Sequence, residues 1–103
     1  MSTVYEEQAR IFKAFCDDKR LRILELLRSG EKCACVLIAK LHIGQSALSY
    51  HMKVLAASGV VESRQEGKWT HYRISAAGSA HAVTLLKTLT TPALEIEEDI
   101  CCK

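Results

Sequence analysis

Proline is nearly missing from this chain: Pro92 is the only one in 103 residues, which excludes a proline-rich extended segment. Aromatics are also scarce, at 6%, yet 49% of the residues are apolar, so the chain has the composition of a small globular domain and not of a disordered one. No apolar run approaches the ~20 residues of a membrane span, so no membrane partner is expected. Residues Met1 to Glu7 lack a basic stretch followed by an apolar block; no secretory signal is read there, and a cytoplasmic location is the expectation. No Ser/His/Asp arrangement, no pair of catalytic carboxylates and no glycine-rich phosphate loop is visible. His71 and His81 lie far apart, so neither catalysis nor a permanent cofactor is expected.

Charge and cysteine supply the positive signals. The net charge is +2, but eight basic and four acidic residues fall within 21–73, whereas 74–103 holds two basic and four acidic ones. A basic middle with an acidic tail suits a polyanionic partner. The five cysteines are odd in number and clustered as Cys33/Cys35 and Cys101/Cys102, with Cys16 alone. In a reducing compartment such clusters read as soft-metal ligands or redox sensors before they read as disulfides.

Hydrophobic spacing predicts helices over 4–15, 18–28, 33–41, 45–58 and 76–90. Asp17-Asp18 supplies an N-cap and first-turn acid for the second helix, in which Leu21, Ile23, Leu24 and Leu27 point inward. Cys16, between two helices, reads as a core filler. His42-Ile43-Gly44 is a turn. In the fourth helix Leu48, Met52 and Leu55 form the buried side; Ser46, Ser49, Tyr50 and Lys53 fall opposite, with Gln45 flanking and His51 at the boundary. Between Gly59 and Ile74 the period changes to that of strands, over 60–65 and 69–74, joined through Glu66-Gly67-Lys68. Val83, Leu86 and Leu89 share a face of the last helix, and Pro92 breaks it. The predicted class is mainly α with a small β-hairpin, α-α-α-α-β-β-α, which is a winged helix-turn-helix over 1–92 followed by an acidic, cysteine-containing tail over 93–103.

Each constellation has a chemistry. Small polar side chains at Gln45, Ser46 and Ser49 let a helix approach base edges; Gln reads adenine in bidentate fashion, and Ser bonds base or phosphate. Tyr50 and Lys53 would meet sugar and phosphate, and His51 reads equally as a contact or a packing group. Arg64, Lys68 and Arg73 make a basic wing suited to backbone or minor groove, with Trp69 and Tyr72 packing the hairpin. Cys33 and Cys35 are either ligands for a soft ion or two small hydrophobes. Residues i and i+2 of a regular helix diverge, so chelation by both would demand a distorted first turn. Cys101-Cys102 could add a third sulfur, form a redox pair, or be silent.

The runs Phe15–Leu27, Glu31-Lys-Cys-Ala-Cys-Val-Leu37, Gln45-Ser-Ala-Leu-Ser-Tyr-His-Met-Lys-Val-Leu55 and Arg64–Arg73 together resemble the ArsR/SmtB family of metal-sensing repressors, over about residues 9–75. That resemblance implies a homodimer joined through its first and last helices, bound to a double-stranded operator of approximate two-fold symmetry and released when an inducer binds. It makes Cys33 and Cys35 the inducer ligands, as in the arsenite/antimonite sensors, and Gln45, Ser46, Ser49 and Tyr50 the DNA-reading positions. Many such sensors carry a third cysteine where this chain has Ile38, so Cys101 or Cys102 is the candidate third ligand. The cadmium/lead pattern draws on cysteines nearer the N-terminus, and none precedes Cys16; the tilt is toward As(III) or Sb(III), with Cd(II) or Pb(II) as alternatives. The last helix lacks the family's paired Asp/His zinc pattern. A thiol redox-sensing repressor, and a thiol-rich metal chaperone without DNA binding, are the rival readings.

Overall fold

The computed structural model describes residues 3–93. Helix α1 (Val4–Lys13) begins at a capping box that spacing of apolar residues does not reveal: the Thr3 hydroxyl accepts from the Glu6 N–H at 3.0 Å, and the Glu6 carboxylate accepts from the Thr3 N–H at 3.0 Å. Helix α2 (Asp18–Leu27) starts as expected at Asp17, whose carboxylate accepts from the N–H of Lys19 at 2.8 Å. Strand β1 (Lys32–Cys33), helix α3 (Ala34–Leu41), helix α4 (Gln45–Ala57), strands β2 (Val61–Glu66) and β3 (Trp69–Ile74), and helix α5 (Ala76–Thr90) follow. None of these helices is long and apolar enough to cross a membrane.

The fold is the winged helix-turn-helix that the sequence predicts, with one addition. The hairpin gains a third strand, β1, and the sheet order is β1-β3-β2, antiparallel throughout. Alternation along the strands puts Val61, Tyr72 and Ile74 against the helices. Glu66 pairs with Trp69, leaving Gly67 and Lys68 as a two-residue turn; Gly67 has φ +63°, the conformation that a first turn position of type II′ reserves for glycine.

Ile23, Leu37 and Leu55 are fully buried, and Leu48, Met52, Leu27, Leu41, Val60 and Val61 complete the core that joins α2, α3, α4 and the sheet. A buried cation lies beside it. Arg20, only 7% exposed, sends Nε to the Ala14 carbonyl (3.2 Å), Nη2 to the Lys13 carbonyl (3.0 Å) and Nη1 to Nδ1 of His51 (3.0 Å). It thereby satisfies the Ala14 carbonyl, joins the Cys16 N–H on the Lys13 carbonyl, and ties α1 and α2 to α4.

Several expectations are corrected. Helix α1 stops at Lys13 and not at residue 15, because the N–H groups of Ala14, Phe15 and Cys16 turn to the carbonyls three residues back, those of Ile11, Phe12 and Lys13. Cys16 is exposed and fills no core, since the chain turns outward there between α1 and α2. Leu21 is 49% exposed, because α2 turns only its Ile23/Leu27 edge toward the core. Trp69 is 54% exposed: it projects from the outer side of the hairpin, where no element covers it.

Gly78 shows how α5 is seated. A Cβ at this position would overlap the carbonyl carbon and oxygen of Gly59, while the Ser75 N–H donates to the Val60 carbonyl at 2.8 Å. Backbone, not a flexible side chain, is in the way, so Gly78→Ala must push α5 off the Gly59–Val60 turn. Overpacking of this kind costs about 1–3 kcal/mol. For a domain of this size it should lower the melting temperature by roughly 4–8 °C per kcal/mol, as thermal unfolding would show.

Candidate inducer and nucleic-acid sites

The two thiols do not occupy successive positions of one helix. Cys33 is the last residue of β1 and the N-cap of α3, with extended backbone (φ −71°, ψ 147°); Cys35 lies in the first turn. This departs from the expected helix over 33–41, and the extended cap residue removes the divergence that a regular helix would impose. The Sγ atoms stand 2.8 Å apart, with the Cys35 thiol donating to Cys33, and the Cys33 sulfur also accepts from the Cys35 N–H at 3.4 Å. Both sulfurs therefore face one point in space without any distortion of α3.

This arrangement polarises the pair. The Cys35 thiol, then the Cys35 N–H, and also the Val36 N–H, stabilise a thiolate on Cys33 and hold its pKa below the ordinary thiol value, against a smaller opposing effect of burial. The same sulfur–sulfur bond, burial and the negative charge of Cys33 push Cys35 upward. The donor set suits a thiophilic ion, because one sulfur is already disposed to ionise and the other lies beside it. Among the described residues, no group of three or more His, Cys, Asp or Glu side chains is placed to hold a metal ion, so neither Cys16 nor a carboxylate completes the pair. Cys101 and Cys102 lie outside the described residues.

Strand pairing puts the thiols beside the wing. Cys33 is opposite His71, and His71 is opposite Arg64, so the three side chains form a row on the outer face of the sheet. Glu31, two residues before Cys33, closes that row with an ion pair to Arg64 at 2.7 Å. Arg64 also meets Glu66 at 3.2 Å, and the His71 ring lies 3.8 Å from Glu31 and 3.4 Å from Glu66. Arg73 pairs with Glu62 at 3.4 Å. Lys68, at the exposed hairpin turn, is in no ion pair among the described residues. Hydrophobic spacing does not flag Glu31; it joins the site only because β1 pairs with β3, a pairing two residues long.

Helix α4 places the remaining residues as its period predicts. Gln45, Ser46, Ser49, Tyr50 and Lys53 are exposed, while Leu48, Met52 and Leu55 are buried behind them. His51 is half-buried, with Nδ1 toward Arg20 and its ring edge-on to Tyr50 at 5.4 Å. Arg has only donors, so Nδ1 accepts, which ties this histidine to Arg20 on one side of its ring. Ahead of α4, α3 ends at His42 in the left-handed conformation (φ 56°), and Ile43 and Gly44 complete the turn.

Comparison with known proteins finds similar sequences and a similar fold. A model of the bacterial regulatory protein family named arsR matches residues 17–63. An uncharacterised HTH-type transcriptional regulator of Methanocaldococcus jannaschii is 45% identical over 71 residues, 68% of this chain and 80% of its own length. The arsenical resistance operon repressor of Staphylococcus aureus is 40% identical over 71% of this chain and 70% of its own. The solution structure of a homodimeric winged helix-turn-helix DNA-binding domain from Mycobacterium bovis superposes with a TM-score of 0.65 at 26% identity, covering 90% of this chain and 91% of that one.

The thiol geometry makes a direct prediction. Cys35→Ala removes the donor to Cys33, so the Cys33 pKa should rise and its alkylation by iodoacetamide should move to higher pH. Cys35→Ser keeps a donor and should move it less. Mass spectrometry across the pH range reads both, and an unmoved profile in Cys35→Ala would show that the pair does not set the acidity of Cys33.

Proposed function

The chain belongs to the arsR family of bacterial transcriptional regulators, and from that premise we propose that it is an arsenite- or antimonite-responsive repressor that binds operator DNA as a dimer. The observation that carries the proposal is the Cys33–Cys35 pair, sulfurs facing each other at 2.8 Å at the head of the helix-turn-helix. Gln45, Ser46 and Ser49 read base edges. Tyr50, Lys53 and Lys68 meet the backbone. Arg64 belongs to the same wing, with its charge shared between Glu31 and Glu66. His51 contributes by holding α4 against Arg20.

The pair needs no distortion to bind an ion; the consequence lies in what Cys33 gives up. Its sulfur accepts the Cys35 N–H and thereby caps α3. Bonding to As(III) or Sb(III) would replace the Cys35 S–H···S contact and redirect the lone pairs of the Cys33 sulfur, weakening the N–H contact that caps α3, so its first turn loosens. Helix α3 is joined to α4 through the three residues His42 to Gly44, and the recognition helix moves with it. A third sulfur from Cys101 or Cys102 would pull further on the same point. Cadmium or lead would act through the same two thiolates. Because the sulfur atoms are in direct contact, oxidation to a disulfide is a second reading that this geometry specifically favours.

The dimer rests on a different observation. Val83, Leu86 and Leu89 on α5 are each about half exposed, at 56%, 52% and 49%, and the first two border an apolar depression shared with Phe12, Phe15 and Ala82. A face this apolar in a chain this small is an association surface. A dimer that reads a two-fold operator needs its two α4 helices about 34 Å apart, one turn of duplex.

Two measurements test the proposal. Arsenite should weaken binding of the wild-type protein to DNA upstream of its own gene by about 5–150-fold, the usual range of such couplings. Cys33→Ser and Cys35→Ser should each abolish the response; a full response in both would refute the site, and release by peroxide alone would favour the redox reading. By sedimentation the wild-type protein should run as a dimer and Leu86→Glu as a folded monomer; a Leu86→Glu dimer would remove α5 from the interface.

A further inference from the structure

A groove of about 200 Å³ runs between the last turn of α1 and the second half of α4, lined by Arg10, Lys13, Lys53, Val54 and Ala57. Two helices far apart in sequence turn their cations to it. Complementing the C-terminal end of α1 explains basic residues in its last turn, but not a lysine facing them from α4. Lys13 and Lys53 are exposed, and among the described residues neither side chain forms an ion pair. The floor is apolar, from Val54 and Ala57. Lys53 lies three residues after Tyr50 and four after Ser49, so the groove continues from the face of α4 that carries the proposed reading residues.

We propose that this groove is a further DNA contact, in which Lys13 and Lys53 grip phosphates of the sugar–phosphate backbone flanking the major-groove contact, while the deoxyribose carbons lie on Val54 and Ala57. The proposal rests on the DNA-binding reading and extends its footprint from the helix-turn-helix to α1. The occupant is an anion chain with an apolar side: the rim is cationic, the floor is not, and the groove adjoins the recognition face. Contacts of this kind position the protein without reading sequence.

The test is the salt dependence of binding. Each phosphate contact contributes close to one to the slope of log K against log salt. In a dimer, Lys13→Gln should flatten that slope by about 2 and weaken operator and random duplex by the same factor, with arsenite release unchanged; Lys13→Arg should restore the slope. Thermal melting of the variant establishes that it is folded. If wild-type protein shows neither sequence preference nor a salt slope, the DNA-binding reading itself fails. If wild type binds and Lys53→Gln flattens the slope while Lys13→Gln does not, DNA stops at α4 and the groove proposal is wrong. A Lys13→Gln variant that loses the dimer instead would also overturn it, assigning the groove to the subunit interface.

Discussion

The site depends on a pairing two residues long. Because Lys32 and Cys33 form a strand beside Tyr72 and His71, Cys33 is extended where a helical residue would turn its sulfur away from Cys35. One residue thus ends a strand, caps a helix and supplies a thiol of lowered pKa. These roles compete for one sulfur atom. Under the proposed function, a ligand taken up there would cost hydrogen bonding at the start of α3, and by linkage DNA holding α3 in its capped form would weaken the ligand in turn. Replacing Cys33 with a serine would retain a cap and lose the affinity for soft ions, which separates the two roles chemically.

The distribution of charge matters more than its total. A net charge of +2 is too small to identify a nucleic-acid-binding protein. Three of the eight basic residues over 21–73 are also paired internally, Arg28 with Glu25, Arg64 with Glu31 and Glu66, and Arg73 with Glu62, while Arg20 just before them turns onto the end of α1. Exposed pairs of this type add little stability, so their main effect is to fix side-chain positions. Lysines at 13, 53 and 68, on the proposed DNA face, are among the cations without an ion-pair partner among the described residues. Phosphate binding would accordingly depend on them more than on the wing arginines that the sequence makes prominent.

How much of this was legible in advance follows from which physical signals are periodic. The buried stripe Leu48/Met52/Leu55 and the exposed stripe across from it are a helical period repeated enough to read, and they came out as expected. The hairpin registers through its two-residue turn at Gly67-Lys68. A strand of two residues has no period, so β1 was invisible, and with it the real geometry of Cys33 and the company of Glu31, His71 and Arg64. Leu21, Trp69 and Cys16 depart from expectation for a different reason. Residue type predicts burial only where some element is available to cover it, and α2, the hairpin and the α1–α2 turn each leave one side open. Gly78 carried no local signal either, since its requirement is set by the backbone of Gly59, nineteen residues earlier.

The same short strand gives the thiols a second route outward. Glu31 precedes Cys33 by two residues and holds Arg64 on β2, while His71 lies between them on β3. A displacement of Cys33 therefore acts in two directions: forward through α3 and the turn into α4, and sideways through the sheet into the wing. The sideways path consists of exposed ion pairs, which solvent and salt screen, whereas the forward path runs through Leu37 and Leu41, buried against the core that also holds Leu48 and Leu55. Close-packed side chains transmit a shift that screened pairs absorb. The recognition helix, not the wing, should carry most of the coupling, with Arg20 and His51 fixing the far side of α4 so that its motion is a tilt about that anchor.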